Sequence, residues 1–314
     1  MVGVTIRLVG SFAVLRGGVT DAGFGSRKAR RLLMLLAVSR GRTVPVDRIV
    51  DALWPDRPPQ RPADNVATLV SRLRAALGAD VIVGNREGYR LGTLDVDLYE
   101  AADLVAEAQR RIPREPALAA TAAGRAVELL DSGPVLADEP DADWVATARA
   151  DADRLLRTAH HVVAAAALRT GEPWRAVTAA QAAVMADCWD ETAHRLLMSA
   201  YRAAGERARA LAVYEALRVR LADELGVDPA GETQELHLAL LRGNPARSVV
   251  PRAPEITSAG RLALAPSRTL VGRHRELSIL DKAWSRAVSA TPTVVLVVGA
   301  AGIGKTTLAE TAAE

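Results

Sequence analysis

The stretch DNVATLVSRLRAALGADVIVGNREGYRL, residues 64–91, decides how the chain is read. Val66, Leu69, Val70, Leu73 and Leu77 recur at steps of three and four, the apolar stripe of an amphipathic helix. Asp64 or Asn65 is placed to cap its start, and Gly78 to end it. Val81 to Val83 and Tyr89 to Leu91 read as two short strands joined by a turn through Gly84, Asn85, Arg86, Glu87 and Gly88. The apolar stripe leaves Thr68, Ser71, Arg72, Ala75 and Ala76 on other faces of the helix.

Those side chains suit the edge of duplex DNA. Arginine pairs bidentately with guanine O6 and N7, the threonine methyl packs on the thymine methyl, and serine bonds either base. Thr68, Ser71 and Arg72 are therefore candidates for reading bases. Arg74, Arg86, Lys28 and Arg30 suit phosphates, where charge positions a protein without reading sequence. Tyr89 of the hairpin is expected at the DNA with them. A basic, solvated helix is the plain alternative.

Upstream, VTIRLVGSFAVLR (4–16) reads as a short sheet ended by Gly17 and Gly18. Ser26 caps a helix from Arg27 to Ser39, with Leu32, Leu33, Leu35 and Leu36 on its apolar face. Arg27, Lys28, Arg30 and Arg31 crowd its first turns, where positive charge opposes the helix dipole unless phosphates lie nearby. Pro45 opens a second short helix that ends at Pro55. PDRPPQRPA (55–63) reads as a stiff exposed loop, because four prolines exclude helix and central strand.

Charge divides the chain in the same place. Residues 1–92 hold 15 Lys and Arg against 7 Asp and Glu, a balance of +8 that points to a polyanion partner. Residues 93–243 hold 16 against 25, a balance of −9 that fits protein contacts instead. At 314 residues, two or three domains are expected. The single Cys188 excludes a disulfide framework and fits a reducing compartment. No run approaches the ~20 apolar residues of a membrane span, and MVGVTIRLVGSF lacks a cleavage site. A cytoplasmic protein with no membrane partner is expected.

Downstream, residues 95–243 are helical in pattern, with Asp97 capping a helix to Arg110, Pro116 opening another to Asp131, and Trp144 starting a long one to Thr170. Gly171-Glu172, Ala176 and Ala180 then align with Gly205-Glu206, Ala210 and Tyr214, and His160 with His194. The offset of 34 is the tetratricopeptide period, in which small residues let paired helices pack closely. His160, His161 and His194 lack carboxylate or thiol neighbours at ligand spacing in sequence and are expected to pack, not to hold metal. The linker NPARSVVPRAPEITSAGRLALAPS, assigned to 244–268, is followed by a strand, loop and helix in which Gly299, Gly302, Gly304, Lys305 and Thr306 fit GxxxxGK[ST].

Strands, three helices and a hairpin carrying VSRLRAAL and GYRL resemble the winged helix-turn-helix of response regulators. The resemblance implies that the third helix reads the major groove, the hairpin flanks the minor groove, and the 55–63 loop contacts RNA polymerase. With DVDLYEAADL opening the acidic array and ADELGVDPAGETQELHLALLRG closing it, residues 1–243 resemble the Streptomyces antibiotic regulatory protein family. That implies an activator of secondary-metabolite genes. It would bind direct repeats near the −35 element as a dimer on promoter DNA, and recruit RNA polymerase through the sigma factor and alpha subunit. Val271-Gly272-Arg273 is similar to the adenine-side segment of signal-transduction ATPases. The motif implies that Gly299, Gly302, Gly304, Lys305 and Thr307 hold ATP or ADP phosphates and that Thr306 ligates Mg²⁺.

The expected fold is mainly α. A winged helix-turn-helix with small sheets spans 1–93, and a tetratricopeptide-like all-α array spans 94–243. The linker follows, and the start of a P-loop α/β domain occupies 269–314, as part of a longer regulator. Hydrolysis and a bound cofactor are not expected of these residues alone. An ATP-dependent signalling switch and a tetratricopeptide adaptor stand as the alternatives.

Overall fold

In the computed structural model the described residues are 4–20, 25–242, 278–280 and 282. The linker at 244–268, the 271–273 segment and the P-loop residues Gly299, Gly302, Gly304, Lys305, Thr306 and Thr307 lie outside them. The described residues up to Arg242 belong to one compact unit. It is mainly helical, with small sheets confined to its first hundred residues.

Strands β1 (Val4–Arg7), β2 (Ala13–Arg16) and β3 (Val19–Thr20) form an antiparallel meander. Helix α1 (Arg27–Val38) follows, with the Ser26 hydroxyl accepting the Ala29 N–H at its start. Next come β4 (Val44–Pro45), α2 (Val46–Leu53) and α3 (Pro62–Leu77). β5 (Ile82–Asn85) and β6 (Gly88–Leu91) make the hairpin, and β4 joins β6 to give a three-stranded sheet. The apolar faces of α1, α2 and α3 meet: Leu32, Leu33, Leu36, Ile49, Val66 and Leu73 are fully or almost fully buried.

Two differences from the sequence reading bear on the α3–hairpin surface, the other helix ends lying within two residues of expectation. Helix α3 starts at Pro62, two residues before the expected cap, because proline's fixed φ suits the first helical position and its missing N–H costs nothing there. The hairpin turn is tighter than expected: Asn85 pairs with Gly88, leaving Arg86 and Glu87 alone at the tip, and Asn85 Oδ1 accepts the Glu87 N–H.

β7 (Asp95–Val96) pairs in parallel with β1 and completes a four-stranded sheet of order β3-β2-β1-β7. It runs straight into α4 (Asp97–Arg111). Asp97 does not cap α4 across its first turn. Its half-buried carboxylate accepts the Leu8 and Val9 N–H groups at 2.9–3.0 Å, besides that of Leu98 at 2.7 Å. Burial pushes its pKa up, against the pull of these N–H groups. The loop at 131–142 returns to the same strand end: Leu136 N–H donates to Leu8 O, and Gly10 N–H to Pro134 O. Leu136 is held at φ +52, a left-handed conformation costly for a bulky side chain, and is fully buried. Arg149 fixes the loop from below, donating to the carbonyls of Val135, Leu136 and Glu139. One hydrophobic cluster therefore runs unbroken from Ile6 and Leu36 to Leu98, Ala101, Val105, Leu136 and Val145.

The array continues with α5 (Pro116–Leu130), α6 (Asp143–Thr170), α7 (Pro173–Ala186), α8 (Glu191–Ala203), α9 (Arg207–Leu225) and α10 (Gly231–Leu241). The 34-residue repeat is visible in detail. Gly171 and Gly205 both end helices with positive φ, +78 and +81, the conformation glycine reaches without strain. Ala176, Ala180 and Ala210 are fully buried where helices meet.

His160 and His161 are half-buried on α6, and burial pulls both imidazole pKa values down. His161 Nε2 lies 2.9 Å from Asp190 Oδ2, which Arg157 also approaches. A depressed histidine pKa gives stability that is present above the ordinary value near 6.5 and lost as pH falls toward the folded value. Acidifying from pH 7.5 to 5.5 should therefore lower the array's melting temperature. A double substitution His160→Gln and His161→Gln should flatten that response, which thermal melts at the two pH values would check.

Candidate nucleic-acid interface

Helix α3 buries Val66, Leu69, Val70, Leu73 and Leu77 and turns a continuous strip outward. Asp64, Asn65, Thr68, Ser71, Arg72 and Ala75 all lie on it and are all exposed. The Thr68 hydroxyl donates to Asp64 O at 2.9 Å, so its methyl is the part left for an outside partner. Asn65, a possible cap by sequence, stands one heptad before Arg72 on the same strip. Its amide nitrogen donates one N–H to Arg61 O at 2.8 Å, leaving the second N–H and the amide oxygen for adenine N7 and N6. That step of seven was the signal in the sequence that could have found it.

The hairpin lies along this helix. Arg74 reaches from α3 to two wing carbonyls, Nε to Ile82 O at 2.9 Å and a terminal nitrogen to Gly84 O at 3.2 Å. At the other end Arg86 pairs with Asp64 at 3.2 Å, both side chains exposed. Arg16 of β2 also donates to Ala76 O, tying the first sheet to the end of α3. Gly84 and Gly92 sit where a Cβ would run into the backbone, of Gly88 and Asp80 respectively, so the hairpin folds back closely.

Of the eight residues expected at DNA, the structure brings Thr68, Ser71, Arg72 and Arg86 to one exposed surface. Arg30 is exposed on α1. Three are placed otherwise. Tyr89 is only 4% exposed: strand alternation turns it, with Leu91, into the core and turns Arg90 out. Arg90 is thus the wing residue that the sequence reading passed over. Lys28 donates to Leu53 O at 2.8 Å, and its ammonium sits 4.4 Å from the Trp54 ring centre. It closes the C-terminal end of α2, and desolvation together with the Arg31 charge holds its pKa below the ordinary lysine range. Arg74 is engaged with the wing backbone rather than turned toward a phosphate.

Other features carry less. A groove of about 760 Å³ lies between α1–α2 and the start of α6, lined by Leu35, Val44, Arg48, Asp143 and Trp144 among others. Among the described residues no cluster of three or more His, Cys, Asp or Glu side chains is placed to hold a metal ion. Among the same residues, no helix is long and apolar enough to cross a membrane.

Three families match this chain. Residues 24–91 match "Transcriptional regulatory protein, C terminal", residues 95–241 "Bacterial transcriptional activator domain", and residues 269–314 "AAA ATPase domain". "Regulatory protein AfsR" of Streptomyces griseus is 35% identical over 91% of this chain, which spans 30% of that protein's length. "Transcriptional regulatory protein MoaR1" of Mycobacterium tuberculosis is 32% identical over 76% of this chain and 79% of its own length. Among solved structures, Mycobacterium tuberculosis EmbR in complex with a low affinity phosphopeptide superposes with a TM-score of 0.69. It is 25% identical, over 77% of this chain and 66% of the EmbR chain.

Proposed function

The chain belongs to the Streptomyces antibiotic regulatory proteins of AfsR type, DNA-binding transcription regulators, and from that premise we propose that it activates secondary-metabolite genes by reading direct repeats near the −35 element. The observation that carries this reading is the exposed strip of α3 lying beside the hairpin. Asn65, Thr68, Ser71 and Arg72 face the bases from that strip, while Arg30, Arg86 and Arg90 meet phosphates. The exposed loop before α3 faces RNA polymerase, with the sigma factor and alpha subunit as its contacts, and two copies bind side by side on the repeats. The segmentation into 1–93, 94–243, 244–268 and 269–314 belongs to the same reading.

A second role, in the longer protein, rests on the AAA ATPase match over residues 269–314. There Gly299, Gly302, Gly304, Lys305 and Thr307 would hold nucleotide phosphates and Thr306 a Mg²⁺ ion, so that ATP governs promoter binding. Footprinting of the longer protein tests both parts, on the promoters beside its own gene, with and without ATP-Mg²⁺. Protection of two equally spaced repeats supports the activator reading, and protection without sequence preference defeats it. A footprint that responds to ATP in the wild type and not in Lys305→Ala supports the second role. Equal response in both removes it.

A further inference from the structure

The reading helix and the wing are separate elements, yet a duplex must be met by both at once. We propose that Arg74 is a positioning residue that holds the wing on the reading helix, acting on DNA only through that geometry. The proposal rests on the DNA-binding reading above. The guanidinium bonds two carbonyls of the outgoing wing strand, Ile82 O and Gly84 O, from the last turn of α3. These two carbonyls lie two residues apart on β5, and a planar fork of donors suits such a pair.

A second attachment lies at the far end. From Asp64 to Arg74 the helix rises about 15 Å, and from Ile82 to Arg86 the strand advances about 14 Å. The matched lengths let Arg86 come back to Asp64 while Arg74 grips the base of the hairpin. The two attachments differ in strength. The Asp64–Arg86 pair is exposed at both partners and open to exchange with a DNA phosphate. Arg74 is half-buried and spends its donors on backbone, so it stays in place when DNA arrives. The wing is thus fixed at its base and free to re-pair at its tip.

The test uses the full chain with Arg74→Ala, Arg74→Lys and both changes again in an Arg86→Ala, Arg90→Ala background. Amide hydrogen exchange without DNA should quicken at Gly84 to Gly88 in both single variants, since lysine cannot bridge two carbonyls. Unchanged wing exchange in Arg74→Ala overturns the proposal whatever the DNA result. On specific duplex, Arg74→Ala should weaken binding roughly tenfold, the scale of lost hydrogen bonds to a charged group, and Arg74→Lys should not rescue it. In the wing-substituted background the same change should cost less than about twofold, because its effect runs through the wing. Rescue by lysine, with a salt slope shallower by about one in Arg74→Ala, would identify a phosphate contact and reject the clamp. Loss of sequence preference by the wild type would defeat the functional reading, leaving the exchange result to judge the clamp.

Discussion

Replacing Arg72 with alanine is expected to weaken binding to the specific operator by about 5–150-fold, or ~1–3 kcal/mol, while binding to random duplex falls far less. Arg72 is exposed in the middle of the α3 strip, and Leu69, Leu73 and the rest of the buried stripe are untouched by the change. The fold should therefore be unaffected, and the melting temperature of the free protein should stay within a degree or so. A residue that only neutralises phosphate would lower affinity for all sequences alike and flatten the salt dependence. Titrating specific and random duplexes at two salt concentrations separates the two outcomes. An equal loss on both would move Arg72 from the base-reading group to the backbone-contacting group.

The second large effect is on stability. Asp97→Ala removes the acceptor shared by the Leu8 and Val9 N–H groups, at the end of β1 where the loop at 131–142 also arrives. Leaving a part-buried donor unsatisfied costs about 1–2 kcal/mol, the lower part of the range for buried groups, so a loss of about 2–4 kcal/mol is expected for the two. For a chain of this size that is a fall of about 4–16 °C in melting temperature. Asp97→Asn keeps one acceptor and removes a charge that burial disfavours, so it should lose less. Calorimetry on the two variants would check the order. An alanine variant as stable as the wild type would mean that water replaces the carboxylate.

Much of the fold was open to reading because its signals are local. The apolar stripe from Val66 to Leu77 has the helical period, Ser26 caps α1 as its side chain suggests, and Gly171 and Gly205 mark the repeat with the left-handed turns they adopt. At the start of α3 Asp64 and Pro62 both carry helix-start signals, and proline's backbone geometry wins. Parallel pairing of β7 with β1 leaves almost no trace in sequence: two residues, Asp95 and Val96, meet a strand some ninety positions earlier.

The candidate site was legible in part for the same reason. Thr68, Ser71 and Arg72 follow from helical spacing alone. Tyr89 is expected at the DNA from its place in the hairpin, but the strand's period of two sorts Tyr89 and Leu91 inward and Arg90 outward. Arg74 and Lys28 look in sequence like any other cation of a basic block. Their partners are backbone carbonyls at Ile82, Gly84 and Leu53, and a carbonyl has no sequence signature.

The pairing of β7 with β1 also sets where the reading head can be cut away. A graft of this head onto another regulator, made at the charge boundary near residue 92, would leave β7 behind and bare the outer edge of β1. An uncovered strand edge invites pairing with other chains. The transplantable piece is therefore longer than the DNA-reading elements. It must carry β7, Asp97 and enough of α4 to bring Leu98, Ala101 and Val105 with it.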